Sequence, residues 1–184
     1  MNELLCHADS SQLVVIDIQD RLAAAIPESV RQQLIKNTSL LSKAAALLDV
    51  PITYTEQYPK GLGHTNSELK TLLPDPAIAK TSFSCCGSDD FVSRLAASQR
   101  QQIVIAGMES HVCVLQTAMQ LHQQGYQVFV IEDAICSRTK LNHQNALARL
   151  RQTNMTISTT ESVLFEWLRD AKHEHFKAIS QLLR

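Results

Sequence analysis

Nothing in these 184 residues stays apolar for long. The longest hydrophobic runs, such as Leu13 to Ile16 and Ile103 to Ala106, are far too short to span a bilayer, so no membrane partner is expected. Charge of one sign is not in excess either: 17 Lys and Arg stand against 18 Asp and Glu, a net −1. Without a basic surplus to track phosphates, nucleic acid is not an expected partner. The first ten residues hold no apolar signal core, and no arginine precedes Arg21. No secretory signal or transit peptide is legible there, and a cytoplasmic address is expected. The cysteines are Cys6, Cys85, Cys86, Cys113 and Cys136, an odd number with no C-x-x-C spacing, which favours reduced thiols over a disulfide framework. No G-x-x-x-x-G-K phosphate loop occurs, and Gly61-x-Gly63 lacks the third glycine of a dinucleotide fingerprint, Asn66 standing there instead. Repeats, low-complexity tracts and linkers are missing too.

What is present is an ordinary globular balance, 45% hydrophobic and 19% charged. A chain of this length buries about 70% of its unfolded surface, enough for a core without cross-links. One domain over 1–184 is expected. Leu13 to Ile16 is apolar throughout and stops at Asp17, which predicts a strand buried on both faces. Pro27 and Glu28 open a long helix with Val30, Leu34, Leu41, Ala45 and Leu48 on one face. Further strands are predicted at Ile52–Thr55, Ala77–Ala79, Ile103–Ala106, Val128–Ile131 and Met155–Ser158. Helices are predicted between them, over 67–72, 89–97, 112–122, 141–151, 161–169 and 173–183. Gly125 closes the fourth of these seven helices. Strict alternation of strand and helix predicts a three-layer α/β/α, Rossmann-like fold around a six-stranded, mostly parallel sheet.

In such sheets function gathers at the carboxyl ends of the strands. The first strand ends at Asp17, the third at Lys80 and the fourth at Gly107-Met108-Glu109, with Cys113 just beyond in the next helix. Each residue alone has a commoner reading: a cap, a surface charge, a packed thiol. Together they are an acid, a cation and a sulfur at one rim. A helix N-terminus and an ammonium both favour thiolate, the nucleophilic form. Asp17 has the chemistry to take the thiol proton and return it to a leaving amine, and free amides near Cys113 suit the oxygen of a tetrahedral intermediate.

The segments Val15-Ile16-Asp17-Ile18-Gln19-Asp20, Lys80-Thr81-Ser82-Phe83-Ser84 and Ala106-Gly107-Met108-Glu109-Ser110-His111-Val112-Cys113-Val114-Leu115-Gln116-Thr117-Ala118 resemble, in order, the three signature blocks of the isochorismatase-like cysteine hydrolases. The resemblance runs from about Ser11 to Glu166. The stretch Thr55-Glu56-Gln57-Tyr58-Pro59-Lys60-Gly61-Leu62-Gly63 is similar to the branch called isochorismatase domain-containing proteins, related to the YcaC-type hydrolases. The resemblance implies Asp17 as general acid/base, Lys80 as support for the nucleophile and Cys113 as the nucleophile. It also implies a cis peptide at Met108–Glu109 and an oxyanion hole made of the Glu109 and Cys113 amides. Gln19, Phe83 and His111 are the expected pocket walls, with packing as the alternative for Phe83 and an interface as the alternative for His111.

Departures narrow the expectation. Nicotinamidases of the family carry a metal-binding Asp-x-His pair where this chain has Glu56-Gln57-Tyr58, with His64 beyond. A catalytic metal, any other cofactor and nicotinamidase activity are therefore not expected. True isochorismatases cleave a vinyl ether and generally lack the nucleophilic Cys, so Cys113 points to amide-type hydrolysis. His173-x-His175 lies in a charged terminal helix and reads as a solvated face. Ser137 and Arg138 have two open readings, helix capping or pairing across subunits. The expectation is an enzyme: a cysteine hydrolase of a small-molecule, non-peptide carbon–nitrogen bond, in a homo-oligomer of two or more copies. The alternatives are a non-catalytic binding or scaffold member, an ether hydrolase of the isochorismatase type, or a flavodoxin-like or nucleotide-binding domain.

Overall fold

The computed structural model describes residues 4–74 and 76–183; the predicted extent of 1–184 reaches residues 1–3, 75 and 184, outside that range. The strands are β1 (Ser11–Ile16), β2 (Ile52–Gln57), β3 (Ile78–Lys80), β4 (Gln102–Met108), β5 (Gln127–Cys136) and β6 (Thr156–Ser158). The helices are α1 (Asp20–Ala23), α2 (Glu28–Leu47), α3 (Pro59–Leu62), α4 (Ser67–Lys70), α5 (Asp89–Ser98), α6 (Leu115–Gln123), α7 (Lys140–Arg151), α8 (Thr160–Leu168) and α9 (Phe176–Leu182). The sheet order is β3-β2-β1-β4-β5-β6 and every pairing is parallel. No helix among the described residues is long and apolar enough to cross a membrane.

Side chains alternate across a strand, and the two cores follow that period. Leu13, Val15, Val104 and Ala106 face Leu34, Leu41 and Ala45 of α2 and Val163, Leu164 and Trp167 of α8. Val14, Ile16, Ile103 and Ile105 face Phe91 and Leu95 of α5, Leu115 and Leu121 of α6, and Leu147 and Leu150 of α7. Burial on both faces is why β1 and β4 read as unbroken apolar runs. The order of strands reverses between β1 and β4, and the crevice at such a switch point is where open α/β sheets place their ligands.

Several local expectations need correction. β5 does not stop at Ile131 but continues to Cys136, pairing Ile135 with Gly107 and Cys136 with Met108 after a register shift in which extra β5 residues stand between Val130 and Ile135. Glu132 and Asp133 look like a strand end, yet Asp133 Oδ1 accepts from the amide and hydroxyl of Thr160 and so caps α8. β2 reaches Gln57 rather than Thr55. The helix after β4 begins as a π-helical turn, Ser110–Val114. Such turns are rare and frequent at functional sites. Val30 of α2 is 39% exposed instead of buried. The last helix starts at Phe176, three residues later than expected.

Candidate active site

Asp17 leaves β1 in a left-handed conformation, φ 52°, which Asp tolerates better than most residues. Its amide donates to the Thr55 carbonyl (3.2 Å), and its carbonyl accepts from Gln19 (2.9 Å). This turn holds the carboxylate at the switch point, and two groups fix its orientation. Thr55 Oγ1 donates to Oδ1 (2.7 Å) and Lys80 Nζ donates to Oδ2 (2.6 Å). Neither side chain of the Asp17–Lys80 pair has any solvent exposure.

Lys80 reaches the carboxylate from the end of β3, two strands away. Its ammonium also lies 2.7 Å from Gln57 Oε1, 3.2 Å from the Ser82 carbonyl and 3.1 Å from the Phe83 carbonyl. Burial, the largest single influence, pulls the ammonium towards neutrality, but the charge and hydrogen bond of Asp17 together with the Cys85 and Cys113 sulfurs outweigh it and hold Lys80 above the usual lysine value. The cation is thus fixed at neutral pH.

Cys113 sits in the π-helical turn after β4, 5% exposed, and its thiol feels the charges of both Asp17 and Lys80. The three strand ends therefore do meet. The protonation differs from the sequence expectation. Burial and the Asp17 charge together outweigh Lys80, and the thiol is pushed up to about 12. At rest the proton belongs on sulfur, with the carboxylate that would receive it close enough to raise the thiol.

Sequence reasoning missed two neighbours, Thr55 and Gln57, and took Cys85 as structural by default, with a place flanking the pocket as the alternative. Thr55 and Gln57 orient the Asp17 and Lys80 side chains, and the register Ile16↔Thr55 would have placed Thr55 there had β2 been aligned with β1. Cys85 is fully buried, with its Sγ 3.7 Å from Thr55 Oγ1; burial and Asp17 push its thiol up to about 12 as well. It is a second sulfur behind the cluster.

The expected pocket walls divide. Phe83 is 56% exposed beside the lysine. Gln19 is buried, and its amide is occupied with backbone: Nε2 donates to the carbonyls of Gln57 (3.0 Å) and Gly63 (2.6 Å), while Oε1 accepts from Gln57 (2.7 Å). It ties the loop after β2 to β1 rather than offering a polar atom to a ligand. His111 is half-buried, with Nδ1 3.0 Å from Ser137 Oγ and 3.6 Å from Glu109 Oε2. The Met108–Glu109 peptide is cis. Arg138 Nε lies 2.7 Å from Glu109 Oε1. Neither Ser137 nor Arg138 caps a helix; Thr139 caps α7. A cavity of about 480 Å³ lies at the end of β5, lined by Leu34, Ile135, Cys136, Arg138 and His143 among others, on the far side of β4 from Lys80.

The isochorismatase domain profile matches residues 11–162. The chain belongs to the isochorismatase family. Among curated relatives, isochorismatase domain-containing protein 2A of Mus musculus is 37% identical over 178 residues, covering 96% of this chain and 84% of that one. The solved structure of the MAR1 ribonuclease of Caenorhabditis elegans superposes with a TM-score of 0.91 at 33% identity, covering 97% of this chain and 92% of that chain. The YcaC gene product of Escherichia coli, described as an octameric hydrolase of unknown specificity, shares the fold, with a TM-score of 0.92 at 24% identity, covering 100% of this chain and 91% of that one.

Within this isochorismatase-family chain, Glu56 occupies the position where the nicotinamidase branch was expected to begin its metal set. Here Oε1 accepts from the amide (2.7 Å) and hydroxyl (2.9 Å) of Thr65, and Oε2 lies 3.0 Å from His64 Nδ1. Burial pushes this carboxyl upward, but the bonds from Thr65 and His64 outweigh it and hold it below the usual glutamate value. The carboxylate anchors the loop that carries Tyr58 to Gly63.

Proposed function

We propose that this chain is a cysteine-dependent hydrolase of a small, non-peptide amide-type carbon–nitrogen bond. The observation that carries the reading is a fixed carboxylate ion-paired to a buried ammonium, with the charges of both acting on the Cys113 thiol. Asp17 takes the proton from Cys113 Sγ as the sulfur bonds to the carbonyl carbon, and the C=O pair moves onto oxygen. The Glu109 and Cys113 amides are the donors for that oxyanion. Collapse expels the amine, which leaves with the proton from Asp17, and a thioester remains on Cys113. Water then gives a proton to Asp17 and adds to the thioester. The thiol departs with its proton restored, and the product is the carboxylic acid. Lys80 keeps its charge throughout, holding Asp17 and stabilising the transient thiolate.

The raised thiol fits this cycle. A general base beside the thiol removes the need for a standing thiolate, because transfer accompanies attack. The test is ammonia release over a panel of small amides, with Cys113→Ala as control. Turnover confined to the wild-type chain supports the reading; equal turnover in Cys113→Ala overturns it. An RNA-cleavage assay on the same preparation separates it from the activity named for the Caenorhabditis elegans protein. Self-association belongs to the same proposal, supported by the octamer described for Escherichia coli YcaC. Gel filtration with light scattering decides it, and a single 184-residue species overturns it.

A further inference from the structure

The β5–α7 connection touches the segment after β4 at four points. Arg138 Nε stands 2.7 Å from Glu109 Oε1. His111 Nδ1 is 3.0 Å from Ser137 Oγ, and His111 Nε2 is 3.3 Å from Asn142 Nδ2. Ser110 Oγ is 3.0 Å from His143 Nδ1. Residues 137–143 therefore strap down residues 109–111, the stretch that leads into Cys113. The late end of β5 makes this possible, since Cys136 pairs with Met108 and delivers Ser137 and Arg138 beside Glu109.

Glu109 is the centre of the strap. Its side chain is 4% exposed, and its Oε1 has a charge partner but no hydrogen bond, because Arg138 Nε approaches off the bonding direction. A buried carboxylate with so little hydrogen bonding holds its place through its counter-charge. Arg138 is 56% exposed, so it carries that charge without being part of the core. The Asn142 amide donates to His111 Nε2, which leaves the His111 proton on Nδ1, directed to Ser137 and towards Glu109 Oε2.

We infer that Arg138 is a positioning residue for oxyanion stabilisation: by pinning the Glu109 side chain, it aims the Glu109 amide at the oxygen of the tetrahedral intermediate. The inference rests on the proposed thioester mechanism. It also sets a division of labour. Asp17 and Lys80 govern the sulfur from one side, while Arg138 governs the oxygen from the other.

Two reagents separate those roles. Iodoacetamide alkylates sulfur by displacing iodide, and no charge builds on the carbonyl oxygen. With p-nitrophenyl acetate, the Cys113 sulfur bonds to the acetyl carbon, the carbonyl pair moves onto oxygen, and p-nitrophenolate departs while the thiol proton passes to Asp17. Both are followed at Cys113 by mass spectrometry, and the second also by p-nitrophenolate absorbance. In Arg138→Met, acetylation is expected to fall roughly tenfold or more, while alkylation stays within about twofold of wild type. Arg138→Lys recovers part of the acetylation rate, because it restores the charge without the guanidinium geometry. Unchanged acetylation in Arg138→Met overturns the inference, and so does a parallel fall of both reactions, which marks a general loss of structure. A wild-type chain that takes no acetyl group on Cys113 overturns the parent mechanism and this inference together. Acetylation that persists in Arg138→Met but is lost in Cys113→Ala overturns this inference alone.

Discussion

Lys80 Nζ lies 2.6 Å from Asp17 Oδ2, and both side chains are wholly removed from solvent. Taking one partner away leaves a bare charge in the interior, which costs about 3–5 kcal/mol. Lys80→Met and Asp17→Asn are each expected to lower unfolding free energy in urea by that order. The double variant Asp17→Asn/Lys80→Met loses less than the sum, because neither charge is then stranded. Additive losses would show that the pair is not electrostatically coupled. The sign of the pH dependence follows from the raised ammonium. Its contribution is whole below the unfolded lysine value of about 10.4 and fades as pH rises through the higher folded value. Wild type should therefore lose stability above about pH 10.5 more steeply than Lys80→Met.

Asp17 has two opposed effects on Cys113, as proton acceptor in the proposed cycle and as the charge that, after burial, most raises the thiol. The variant Asp17→Asn separates them. It removes the acceptor, so amide turnover is expected to fall by at least about a hundredfold. It also removes a negative neighbour while Lys80 stays, so the thiol value drops and the thiolate fraction at pH 8 rises. Iodoacetamide should then alkylate Cys113 faster in Asp17→Asn than in wild type. Slower alkylation in the variant, with the fold intact by circular dichroism, contradicts this electrostatic assignment.

How much of this was legible beforehand differs by level. Leu13 to Ile16 and Ile103 to Ala106 announced buried parallel strands because their environment is apolar on both faces, and the alternation of elements carried the rest of the topology. Glu132 and Asp133 misled, since a capping carboxylate and a strand-ending one look the same until α8 is in place. Asp17, Lys80 and Cys113 were legible as chemical types at strand ends. Thr55 and Gln57 were not, because an ordinary Thr or Gln acquires its role only from register and neighbours. The state of the thiol was illegible for a related reason. Helix termini and nearby cations can be read from a sequence, whereas burial, which raises this thiol most, is a property of the packed chain.

The Glu56 carboxyl supplies an acid-sensitive tie. It is held below the usual glutamate value in the fold, so its contribution is present above the unfolded value of about 4.3 and is lost as pH falls through the lower folded value. Glu56→Gln removes that dependence. Unfolding midpoints measured between pH 3 and 6 should fall more steeply with acid in wild type than in Glu56→Gln. Parallel curves would show that Thr65 and His64 do not favour the ionised form.

Gly107 decides how closely β4 approaches β1 at the point where Asp17 begins. Its φ is +133°, and a Cβ there would lie 2.3 Å from the Ile16 carbonyl oxygen, 2.6 Å from the Ile16 nitrogen and 2.8 Å from its Cα. All three are backbone atoms of a central strand and have no rotamer by which to move aside. Gly107→Ala is therefore expected to push the two strands apart and lower stability by about 3 kcal/mol or more. Gly125 is the matched control: its φ is +93°, but nothing lies within 4 Å of a Cβ built there. Gly125→Ala carries the conformational cost alone, about 1–2 kcal/mol. Urea midpoints of the two variants separate collision from conformation. The displacement at Gly107 also reaches the turn that presents Asp17, so Gly107→Ala should slow Cys113-dependent turnover while Gly125→Ala leaves it within about twofold. Equal stability losses in the two variants would show that the contact with Ile16 is not what demands glycine at position 107.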